Sequence, residues 1–210
     1  MAGFGPHPAC AGRSRLRNRG EPMDKKRIIL AVTGASGTVY AAALANELGR
    51  RDDIELHLII SDAARQVMAQ ETDTTPDSLA ARAFAVHPQA DIGAPPASGS
   101  WRHQGMIICP CSMATLSAVA TGAGNSLIHR AADVTLKERG RLVLVTRETP
   151  VSAIHLKNML AANRAGAVIM PACPGFYHRP ETIGDLAAHL AGRILDQLDI
   201  PHALHARWGE

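Results

Sequence analysis

Arg130, Lys137, Arg147 and Glu148 fall within one stretch, RAADVTLKERGRLVLVTRETP, at positions 130–150. Three cations and an acid are the residue types that hold a phosphate and stabilise the charge growing on a leaving group. Hydroxyls recur elsewhere: Ser36 in TGASG, Ser61 after IELHLII, and Ser112 with Thr115 after a short apolar run. A hydroxyl at a strand–turn–helix junction suits the phosphate end of a nucleotide, because the helix N-terminus favours an anion. Glu71 closes a helix-forming run, where the macrodipole opposes a carboxylate. Its pKa is expected to be raised, as suits a group that trades protons near neutral pH. Tyr177 sits in a Pro-rich loop, and Arg193 is an isolated cation among apolar residues. Each feature has a plainer alternative: a solvated helix face with a loop salt bridge, a tight turn, a helix cap or a surface accident.

These residues need elements to position them. KRIILAV at 26–32 is an apolar strand; Thr33 to Gly37 is a small-residue turn, and a helix follows to Leu48. Ile54–Ile60 predicts the second strand, and Ser61 caps a helix through Glu71. Asp73 to Gly93 is expected to be a helix with irregular flanks, and Ala94 to Ser100 a loop able to line an apolar pocket. Met106–Cys109 is a short buried strand, with a helix from Ser112 to about Ala120. The stretch from Arg130 is an amphipathic helix that Gly140 stops, and Leu142–Val145 is a buried strand ending at Arg147 and Glu148. A helix over 152–165, a strand over 167–170 and a last helix over 183–198 complete the chain. The pattern is about five parallel strands, each followed by a helix. The fold class is α/β: one doubly wound parallel sheet of Rossmann or flavodoxin type, with helices on both faces. Ligands of such sheets bind at the carboxyl edge of the strands. That edge gathers Ser36, Ser61, Ser112, Thr115, Arg147 and Tyr177. The GASG turn falls short of the dinucleotide fingerprint, so a mononucleotide is expected.

Composition narrows the choices. Apolar residues make up 46% but aromatics only 3%, so the core is built from Ala, Val, Ile and Leu. The net charge of +3 lies wholly in residues 1–22, where four arginines face one glutamate. A nucleic-acid footprint over the rest is therefore not expected. Residues 1–22 read as a disordered basic extension and 23–210 as the functional domain. No apolar run reaches a membrane span. The extension lacks the apolar region of a secretory signal, and the cysteines show no zinc-type spacing. The expectation is a cytoplasmic protein with reduced thiols and no metal.

Seven motifs then carry a resemblance: T-G-A-S-G with Tyr40, A-x-E-T-D at 69–73, P-P-A-S-G-S at 95–100 and C-P-C-S-x-x-T at 109–115. To these add R-A-A-D-V-x-L-K-E-R at 130–139, R-E-T-P at 147–150 and G-F-Y-H-R-P at 175–180. In this order they resemble the UbiX-type flavin prenyltransferases over residues 26–209. The resemblance implies transfer of a dimethylallyl group from dimethylallyl monophosphate to reduced flavin mononucleotide (FMN). The product, prenylated FMN, is the cofactor of UbiD-type decarboxylases, a link to ubiquinone biosynthesis. The resemblance also implies a homo-oligomer, a dodecamer, with sites between subunits. Gly34, Ala35, Ser36, Ser61, Ser112, Met113, Ala114, Thr115 and Arg147 would bind the flavin nucleotide. Arg130, Lys137, Glu148, Tyr177, Arg193 and Trp208 would surround the prenyl phosphate. Ser36, Glu71, Lys137, Glu148 and Tyr177 would carry the chemistry.

Departures from the family pattern are His129, where relatives often have an acid, the Gly124-Asn125-Ser126 turn, and Thr38-Val39 after GASG. None removes a motif residue. Two rival classes remain. Flavin-dependent cysteine decarboxylases share the fold but need a catalytic His after the first turn, where this chain has Tyr40. A flavin-binding protein without turnover would have lost Glu71, Lys137 or Arg193.

Overall fold

The computed structural model describes residues 25–205. The 1–22 extension and Trp208 therefore lie outside the described residues. Six strands form one sheet: β1 Lys26–Val32, β2 Ile54–Ile60, β3 Ala85–Pro88, β4 Gly105–Cys111, β5 Leu142–Thr146 and β6 Val168–Ile169. Every pairing is parallel, and the order is β3-β2-β1-β4-β5-β6. The order reverses between β1 and β4, which opens a crevice at their carboxyl ends. The helices are α1 Thr38–Gly49, α2 Asp62–Glu71, α3 Pro76–Ala80, α4 Met113–Thr121, α5 Leu127–Lys137, α6 Ala153–Arg164 and α7 Ile183–Asp196.

Strand periodicity splits the core in two. Ile28, Leu30 and Val32 of β1 point to a layer that also contains Ala41 and Leu44 of α1, Met68 of α2 and Leu190 of α7. Ile29 and Ala31 point to the other layer, with Leu116 of α4, Ala131 of α5 and Ala162 of α6. Covering both faces is what makes the central strands continuously apolar. The two cysteines of C-P-C part company here. A register shift between Ile108 and Cys111 puts Cys109 in the first layer and Cys111 in the second. Burial pushes both thiols up, Cys111 to about 12.

Three expectations change. The stretch 73–93 is not one helix. Thr75 and Ser78 form a capping box that starts α3, but α3 lasts only to Ala80. Phe84 then donates its N–H to Leu56 O at 2.9 Å, and Ala85–Pro88 becomes the sixth strand. Its burial alternates as an edge strand's does, and an edge tolerates Pro88 because its missing N–H is not needed. Helix α5 ends at Lys137, before Gly140: Arg139 adopts φ 59 and Gly140 N–H closes onto Thr135 O at 2.7 Å. The last helix stops at Asp196 and not at Leu198.

Candidate functional site

The crevice between β1 and β4 is tied together by Thr33. Its buried hydroxyl donates to Pro110 O at 2.8 Å and accepts Ser112 N–H at 2.9 Å. This locks the turn after β1 to the start of α4. Ser112 caps α4, accepting Thr115 N–H at 3.3 Å and donating to Thr115 Oγ1 at 3.1 Å. Ser61 caps α2 in the same way, accepting Ala64 N–H at 3.0 Å. Between them lies a cleft of about 340 Å³, bordered by Gly34, Ser61, Ser112, Ala114 and Thr115. Five residues expected to hold the flavin thus meet in one cavity. Three helix N-termini open onto it, those of α2, α4 and α5, each with first-turn amides that lack intrahelical partners. That donor set fits a phosphate group on a polar chain. A Cβ at Gly34 would lie 2.5 Å from Ala63 Cβ. The glycine is therefore needed for α2 to approach.

Glu71 is placed differently from its expectation. It ends α2, yet its carboxylate reaches the start of α1. There it accepts Gly37 N–H at 2.9 Å, Thr38 N–H at 3.1 Å and the Thr38 hydroxyl at 3.0 Å. Burial alone would raise its pKa, but hydrogen bonds from Ser36, Gly37 and Thr38 outweigh it. The pKa is lowered, not raised, because the positive end of α1 overrides the negative end of α2. The anion at the N-terminus of α1 is therefore the protein's own. Thr38, a departure from the family pattern, supplies two of those bonds.

The other departures also meet. His129 Nδ1 accepts Asn125 N–H at 3.2 Å, and Ser126 caps α5 by accepting His129 N–H. A Cβ at Gly124 would fall 2.1 Å from His129 Cβ, so only glycine admits the imidazole here. His129 borders both the main cleft and an adjoining hollow of about 190 Å³ that includes Arg130. Arg130 pairs with Asp133 at 2.7 Å.

Arg147 follows β5 and is exposed, with its N–H on Cys111 O. The Tyr40 hydroxyl lies near Cys109, Cys173 and Arg147; burial leads in raising its pKa, and Arg147 opposes that. Glu148 forms no ion pair with Arg147 among the described residues; its carboxylate accepts the N–H of Thr149 at 3.0 Å. Lys137 pairs with Glu138 beside Gly99, and Arg193 pairs with Asp196 at 3.0 Å. Arg130 and Lys137 do not meet Arg193 within one chain. Arg130 and Lys137 ride on α5, which covers one face of the sheet, whereas Arg193 rides on α7, which covers the other. Tyr177 is brought to α7: its hydroxyl lies 2.8 Å from His189 Nε2.

Gln89 of the cleft wall and His189 were not picked out from the sequence; Thr33 was noted only within its motif and Thr38 only as a departure, neither as a site residue. The position of Thr33, between a strand and a glycine turn, was an available signal. His189 looks like any polar residue on a helix. Among the described residues, Asp196, His202 and His205 have ligand atoms close enough for a metal ion. Their hydrogen bonds favour an internal network instead. Arg193 already holds one Asp196 oxygen, and His202 Nδ1 accepts Leu204 N–H. That leaves the proton on His202 Nε2, facing Asp196 at 3.1 Å.

Comparison with known proteins agrees with this geometry. Residues 16–195 match the family model described as Flavoprotein. The chain is 51% identical to a flavin prenyltransferase UbiX of Pseudomonas aeruginosa, covering 88% of this chain and 95% of that one. A crystal structure of AnUbiX with FMN and dimethylallyl pyrophosphate superposes with a TM-score of 0.85. It shares 46% identity over 89% of this chain and 98% of the other. A dodecameric FMN-dependent UbiX-like decarboxylase from Escherichia coli O157:H7 also gives 0.85. It shares 42% identity over 88% of this chain and 100% of the other.

Proposed function

The chain belongs to the UbiX-type flavin prenyltransferases of the flavoprotein family, and from that premise we propose how its residues join a dimethylallyl group to reduced FMN. The observation that carries the reading is the cleft at the β1–β4 crossover, with the Ser36–Glu71 pair beside it. Ser61, Ser112 and Thr115 hold the FMN phosphate end, and Gly34, Ala35, Met113 and Ala114 shape the walls. Arg147 faces the flavin from the end of β5. Reduced FMN supplies the nucleophilic ring nitrogen and the neighbouring ring carbon that gain bonds to carbon.

The prenyl donor is dimethylallyl monophosphate. Its carbon–oxygen bond breaks, and the phosphate leaves with both bonding electrons. Arg130, Lys137, Arg193 and the Tyr177 hydroxyl meet that growing charge. Glu148 orders the loop that carries Arg147. Protons must leave the flavin ring as the new bonds form. Glu71 starts as a carboxylate, because its pKa is lowered; it therefore accepts a proton, with Ser36 as the relay.

The cations on α5 and α7 lie on opposite faces of the sheet. A phosphate site that uses all of them requires more than one subunit. Leu156 and Leu160, one turn apart on α6, are exposed together, and Ile154 is exposed on another side of the helix, which supports burial against another copy. The assembly is a homo-oligomer of the dodecameric kind, and the prenylated flavin passes to a UbiD-type decarboxylase. No helix among the described residues is long and apolar enough to cross a membrane; the protein works in the cytoplasm, with 23–210 as the functional unit.

The test is mass spectrometry of the flavin after incubation with reduced FMN and dimethylallyl monophosphate. The expected result is the mass of FMN plus one dimethylallyl group, with release of inorganic phosphate. Unchanged flavin would overturn the reading.

A further inference from the structure

We propose that His189 is a positioning residue that holds the Tyr177 ring in place and turns the tyrosine's own proton toward the substrate phosphate. This rests on the proposed prenyl transfer and extends it to a residue outside every motif that carries the family resemblance.

Tyr177 is 58% exposed, in the loop after β6, whereas His189 is only 5% exposed, in the middle of α7. Their bond of 2.8 Å anchors a loop side chain to the core. The direction of that bond follows from the other ring nitrogen. His189 Nδ1 accepts the backbone N–H of Gly175 at 3.3 Å. A nitrogen that accepts has no proton, so in the neutral ring the proton is on Nε2. Nε2–H therefore donates to the Tyr177 oxygen, and the tyrosine's single O–H is directed to a different acceptor. A phenol that accepts one hydrogen bond is also a stronger donor of the next, because bonds in a chain polarise one another.

The surroundings keep His189 in that state. Burial lowers its pKa most, and His178, His205 and Arg193 lower it further. Asp185 lies one turn earlier on α7, and α1, packed on α7, carries Tyr40 and Glu47. His178 stacks on the His189 ring at 4.6 Å between centroids and 10° between planes, which fixes the ring's tilt. Gly175 fits the same space: a Cβ there would lie 2.6 Å from the Tyr177 ring and 3.3 Å from His189 Cε1. Loop glycine, tyrosine and helix histidine thus form one packed unit, with Arg193 one turn further along α7.

The test is a double-mutant cycle on the full chain with dimethylallyl monophosphate, using His189→Phe, Tyr177→Phe, their combination and His189→Gln. His189→Phe keeps a flat ring but donates nothing. Its kcat/KM for the prenyl phosphate is expected to fall about tenfold, the scale of one lost hydrogen bond, with FMN affinity within a factor of two of the parent. Added to Tyr177→Phe, it should cost nothing more. His189→Gln keeps an N–H where Nε2 stands and should recover most of the activity. If His189→Phe does not assemble, His189→Met takes its place. A donorless variant within a factor of two of the parent would overturn the proposal, as would losses that add fully to those of Tyr177→Phe. Crystal structures supply a readout independent of turnover: the Tyr177 hydroxyl should leave its place when His189 cannot donate, and an unmoved hydroxyl overturns the proposal. A parent that prenylates nothing sinks the proposed function, while the Tyr177 position still judges this inference.

Discussion

The Glu71 carboxylate sits on Thr38, accepting its amide at 3.1 Å and its hydroxyl at 3.0 Å. One helix thus ends on the beginning of another. The N-terminal amides of α1 are held by an internal acid, and the helix starts that border the cleft, those of α2, α4 and α5, are left for the nucleotide. Glu71→Gln keeps the shape and removes the base. Product formation in single turnover should fall by roughly 10²-fold or more, with FMN affinity kept. Turnover within a factor of two of the parent would make Glu71 a structural cap only.

The same bond has a pH signature. The folded pKa of Glu71 is lowered, so its stabilisation is fully present above the unfolded carboxyl pKa and is lost as pH falls through the folded value. At neutral pH, Glu71→Gln should melt below the parent. The gap should close as the pH drops below the ordinary carboxylate range. A gap that stays constant down to that pH would mean that shape, not charge, holds the bond.

Arg193 and Lys137 belong to helices on opposite faces. Lys137→Ala and Arg193→Ala homo-oligomers should each be nearly inactive. Dissociating the two together and reassembling them should restore part of the activity, because some sites then draw an intact Lys137 and an intact Arg193 from different subunits. A mixture as inactive as its parents would place both residues in a site made by one chain.

Gly124 and His129 are matched. Gly124→Ala forces a Cβ into the imidazole, an overpacking that costs about 1–3 kcal/mol. Thermal melting should show the loss, and adding His129→Ala should not return it, because the nearest contact is with the Cβ that alanine keeps. A Gly124→Ala protein that melts with the parent would mean that the turn simply moves aside.

A chain starting at Met23 should melt and turn over like the full chain. Residues 1–22 hold the whole charge excess and lie outside the seven motifs. A drop of several degrees in Tm, or a loss of activity, would show that the extension packs on the domain.

The sequence alone determined the class of fold, because β1, β2, β4 and β5 are predominantly apolar runs separated by helical spacing, the pattern of strands covered on both faces. It also determined which hydroxyls lie at the carboxyl edge, since a residue just after a buried strand has nowhere else to go: Ser61, Ser112 and Thr115 do line one cleft. Short-range patterns failed where partners decide. Ala85–Pro88 is a strand only because β2 offers its open edge, and four residues carry too little periodicity to say so. The charge state of Glu71 was misjudged for the same reason. Its own helix argues for a raised pKa, and the sequence cannot tell that α1 begins within 3 Å of it. The cations of α5 and α7 are grouped around one phosphate by the family resemblance, but within one chain the sheet stands between them. His189 carries no signal at all until the chain folds the 171–180 loop back along α7 and sets Tyr177 against it. Distance along the chain encodes which element a residue occupies; which elements face each other is a property of the packed sheet.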